Sequence, residues 1–151
     1  MMRLIIAIAA TAVAAVLGAG AAHAAAPRIL IVSGKPLAHQ VVISNWHSIA
    51  VVIQEVANNS RVAQRGQLVA GRPRLKVSMF WGPRWNDYLS NGHRATALRP
   101  HQADQFGSFY PAWRGRPALM ELSLADRRWP RVVPARALAI LKRFGVPITA
   151  G

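Results

Sequence analysis

Four residues in the middle of the chain have the types needed for acid–base or metal chemistry: Asp87, His93, His101 and Asp104. A short helical stretch opened by Pro100 would set His101 and Asp104 on one side, with His93 or Asp87 completing the site. That arrangement defines one alternative reading, a small hydrolase or metal-dependent enzyme. The competing structural reading pairs Asp87 with Arg84 and Asp104 with Arg99, and leaves His93 in a turn. The rest of the chain offers little reactive chemistry. Only five residues are acidic, and Glu55, Glu121 and Asp126 read as solvent-facing or turn positions. No pair among His39, His47, His93 and His101 has the i, i+4 spacing of a helical zinc site, and no serine sits in Gly-x-Ser-x-Gly form. Ser33-Gly34-Lys35 fails as a phosphate loop because the glycine required five positions before Gly34 is Ile29. Without cysteine there is no thiol chemistry and no thiolate metal site. No cofactor or metal is expected, and binding is favoured over catalysis.

A second set of residues points to that binding. Arg84, Trp85, Tyr110, Trp113, Arg114 and Arg116 interleave guanidinium groups with aromatic planes. Aromatic planes stack on sugar rings and bases, and guanidinium forks grip carboxylate or phosphate. The chain carries 19 Lys+Arg against five acidic residues, a formal charge of +14, which concentrates anionic partners around it. Only Lys35, Lys76 and Lys142 are lysines, and no block of like charge marks a basic tail. The expected partner is an anionic envelope glycan or a lipid surface, with nucleic acid ranked lower. A third reading, a structural or inhibitory module, has the aromatic surface grip another protein. The competing view is that the rings are core, with Trp81 in the inward phase of a strand and Trp85 and Tyr88 covering it.

The elements that must position these groups follow from periodicity and turn residues. Eight of the eleven aromatic residues lie between Met79 and Trp113, so that stretch should carry much of the packing. Ile29 to Val32 reads as a strand buried on both faces, and Gln40 to Ile43 as a second. Ile49, Val52, Ile53 and Val56 fall on one helical face between Ser44 and Ser60, with Ser44 or Asn45 as cap. Their β-branching keeps a strand open as the alternative. Arg61 to Arg74 reads as a solvent-exposed loop, and Leu75 to Trp81 as a strand with one face in the core. Pro83 starts a short helix that Asn91-Gly92 closes. The helical stretch from Pro100 is expected to end at Gly107, and Ala118 to Leu124 alternates as a further strand. Pro134 to Gly145 specifies a helix, with proline at its first turn, basic residues in its last and glycine just beyond.

At the N-terminus, Met1-Met2-Arg3 is followed by an apolar run from Leu4 to Leu17 and the small-x-small site Ala22-His23-Ala24. This is the form of a signal peptide cleaved after Ala24, with Ala26 as second choice. The expected organisation is therefore a leader over 1–24 and one exported domain over 25–151, in the periplasm or beyond. The fold expected for that domain is α+β: a small mixed or antiparallel sheet with a C-terminal helix and short helices packed on it. A parallel α/β sheet is the runner-up. Composition and pattern leave the oligomeric state open.

Overall fold

The computed structural model describes residues 26–123 and 129–151; the expected leader over 1–24 and Asp126 lie outside them. Six strands form one sheet: β1 Ile29–Ser33, β2 Val41–Ile43, β3 Leu75–Phe80, β4 Gln105–Tyr110, β5 Leu119–Leu122 and β6 Arg131–Val132. Their order across the sheet is β2-β1-β3-β4-β5-β6, and all five pairings are antiparallel. Among the described residues three α-helices accompany them: α1 Trp46–Asn58 after β2, α2 Pro83–Ser90 after β3 and α3 Ala135–Arg143 after β6.

This corrects the expected fold. The sheet is neither small nor mixed, the parallel runner-up is overturned, and the principal helix is the 13-residue α1. β4 was hidden by Gly107, whose usual meaning is a break. In the sheet Gly107 pairs with Val77 on one side and Leu122 on the other. A Cβ there would stand 2.4 Å from the backbone oxygen of Glu121, so only glycine allows the strands to close. β6 is two residues long and too short to show a period.

Alternation divides the side chains between two faces. On one face Leu30, Val32, Val77, Met79, Phe109, Met120 and Leu122 meet Ile49, Val52, Ile53 and Val56 of α1 and Ala137 and Leu141 of α3. Asn45 caps α1 by accepting the Ser48 amide at 2.8 Å, so the β-branched run stays helical. On the other face Ile29, Ile31 and Phe80 are covered by Trp85 of α2 with Ala95 and Leu98 from the turns that follow.

Candidate functional site

The first candidate cluster is a clasp between elements. Asp104 immediately precedes β4, and its amide donates to the Met79 carbonyl at 3.0 Å. Its carboxylate accepts the Trp81 amide and the Trp85 indole Nε1–H, each at 2.8 Å, and pairs with the Arg84 guanidinium. The guanidinium carbon of Arg84 also lies 4.6 Å from the Trp85 ring centre. Burial pushes the Asp104 pKa up, but the bonds from Trp85 and Trp81 and the charge of Arg84 outweigh it, so the group stays below the ordinary carboxylate range. The partner of Asp104 is thus Arg84 rather than Arg99.

The other three candidates do not join it. His101 sits exposed on a 3-10 turn, Pro100–Gln102, and among the described residues it makes no hydrogen bond or ion pair. His93 stacks on Tyr88 with ring centres 4.6 Å apart. Asp87 is exposed, and its carboxylate has no ion pair among the described residues. No group of three or more metal-ligating side chains comes together among the described residues. What the Asp104 arrangement does chemically is hold the start of α2 to the start of β4.

The six residues of the expected binding face are divided by β4. Arg84 and Trp85 stand with Asp104 at its start, and Trp85 is 8% exposed, edge-on to Phe80 with centres 4.9 Å apart. Tyr110, Trp113, Arg114 and Arg116 lie at and beyond its other end, roughly 20 Å away at the rise of a strand. Tyr110 is also 8% exposed. Trp85 and Tyr110 are therefore packing residues, and one face of six is not formed. Large rings are the best use of buried area in a core of this size, which is why they lie inside.

Trp113, Arg114 and Arg116 do come together. Trp113 and Arg116 exchange both backbone hydrogen bonds, at 3.1 and 2.9 Å, across Arg114 and Gly115. Both central residues have positive φ, 48° at Arg114 and 74° at Gly115, as a tight primed turn demands. Gly115 adopts this freely, whereas an arginine there is strained by roughly 1 kcal/mol. The Arg114 guanidinium carbon lies 4.4 Å from the Trp113 ring centre. Beside the turn is an open cleft of about 550 Å³ lined by Arg61, Trp113, Arg114, Arg116, Pro117 and Thr149, with no acidic side chain in its wall among the described residues. The last wall is the C-terminal segment, fixed by bonds of 2.8 Å from Ala112 N–H to the Ile148 carbonyl and from Ala150 N–H to the Ala112 carbonyl.

Two residues that matter here were not visible as site residues. Arg61 lies in the segment read as a loop and lines the cleft. Arg72, from the same segment, is only 7% exposed, which corrects the solvent-exposed reading. Its guanidinium donates to the carbonyls of Gln67 at 2.7 Å, Pro111 at 3.0 Å, Tyr110 at 3.4 Å and Pro117. Burial lowers its pKa, and the nearby charge of Arg116 lowers it further. Arg72 thus ties the loop to both ends of the strand connection that carries the cleft. No family model, curated protein or solved structure matches the chain.

Proposed function

We propose that this chain is an exported binding protein that takes an anionic envelope glycan in the cleft beside the Trp113–Arg116 turn. The observation that carries the reading is the lining: three arginines, Arg61, Arg114 and Arg116, with Trp113 and, among the described residues, no acidic side chain. Guanidinium forks suit the carboxylates of an acidic sugar, and the indole suits the apolar face of its ring. The strained backbone of Arg114 supports the same reading, since a strained residue is tolerated where its side chain has work to do. Arg84 and Trp85 have no part in this site.

The test is titration with a polyuronate and with its neutral, carboxyl-reduced analogue at two salt concentrations. Binding should favour the acidic glycan and weaken with salt, with a slope set by the number of arginines engaged. Equal affinity for the neutral analogue contradicts the proposal. Export rests on the charged start, apolar run and small-residue site of the N-terminus. Sequencing the protein recovered from its host should begin at Ala25 or Pro27, and an intact Met1 would contradict it.

A further inference from the structure

Beyond the cleft, exposed apolar side chains gather at one edge of the sheet. Among the described residues five large apolar side chains are exposed, and three of them, Val62, Leu68 and Trp129, belong to two segments that pair with each other. Val62 bridges Arg131, the Ala63 amide donates to the Pro130 carbonyl at 2.9 Å, and the Val132 amide donates to the Arg61 carbonyl at 2.9 Å. Leu68 follows Gly66, whose carbonyl accepts Arg116 Nε–H at 3.1 Å, so this edge is continuous with the rim of the cleft. Trp129 is 75% exposed, the highest of the five.

We propose that this edge docks the protein onto the surface of a bilayer rich in anionic headgroups. Two properties coincide there. Tryptophan prefers the boundary between headgroups and acyl chains, and Val62 and Leu68 add apolar area beside it. Arg61, Arg65, Arg114 and Arg116 supply positive charge, and no acidic residue occurs between Glu55 and Asp87. Basic residues next to an apolar wedge are the combination that holds a protein on anionic lipid without spanning it. No helix among the described residues is long and apolar enough to cross a membrane. The lipid surface is a partner distinct from the glycan, and docking there would hold the cleft close to the envelope.

Sedimentation with vesicles tests this. Wild-type protein should pellet with vesicles containing phosphatidylglycerol and remain in the supernatant with pure phosphatidylcholine. Trp129→Ala and Leu68→Ser should each lower the partition coefficient, by about tenfold for Trp129. Both side chains are exposed, so thermal unfolding and polyuronate binding should be unchanged in the variants. Brominated acyl chains should quench the fluorescence of wild type more than that of Trp129→Phe. Absence of wild-type protein from the anionic pellet, or undiminished partitioning of Trp129→Ala, overturns the inference. Loss of polyuronate binding by wild type with vesicle binding intact would remove the glycan proposal alone.

Discussion

Arg72→Ala is expected to lower folding stability by about 3 kcal/mol or more. Its guanidinium is held by the carbonyls of Gln67, Tyr110, Pro111 and Pro117, and it has no ion pair among the described residues. Removing the side chain strands these acceptors away from water. Hydrogen bonds to a charged group contribute roughly 1.5–3 kcal/mol, and each stranded acceptor costs about 1–3 kcal/mol. Arg72→Lys should recover little, because one ammonium cannot present a planar fork to several fixed carbonyls. Urea unfolding of the two variants measures the loss. A loss below about 1 kcal/mol for alanine would mean that the loop is not held by this residue. The cleft should loosen in both variants, since Pro111 and Pro117 flank the turn that forms it.

Asp104→Ala is expected to cost about 2 kcal/mol. Most of this comes from the Trp85 indole N–H, which belongs to a buried ring and would lose its acceptor. The Trp81 amide loses the same partner. The Arg84 pair adds little, because the Arg84 side chain is 62% exposed and water screens it. The pH dependence has a definite sign. The carboxylate has a lower pKa in the folded chain than when unfolded, so its contribution is complete above the ordinary carboxylate value of about 3.9. It is lost as pH falls from there through the folded pKa. Asp104→Asn should therefore flatten the acid limb of the stability curve. An unchanged acid limb would show that the clasp contributes nothing.

How much of this was legible depends on whether the information was local. The cap at Asn45, the helix over Pro134 to Gly145 and the strand at Leu75 are written in neighbouring residues, and reading them requires no knowledge of distant partners. β4 fails that condition: its glycine is required by the backbone of Glu121 on the adjoining strand, fourteen positions away. Arg72 fails it more completely. An arginine among glycines and proline reads as solvated, and only the folded arrangement brings carbonyls from positions 67 to 117 around it. Of the candidate site, the closeness of Trp113, Arg114 and Arg116 was legible, because neighbours in sequence share one turn. Their separation from Arg84 and Trp85 was not, because β4 lies where Pro100 and Gly107 read as the bounds of a helical stretch.

On the proposed reading, Arg114 keeps its strained conformation for the sake of the glycan it would hold. The direct measurement is Arg114→Asn, followed by both unfolding and polyuronate titration. Asparagine adopts positive φ more readily than arginine, so stability should hold or rise by up to about 1 kcal/mol. Losing a charged fork should weaken glycan binding at least tenfold. A variant that is less stable yet binds the polyuronate as tightly as wild type would contradict the account, because Arg114 would then be serving the fold and not the ligand.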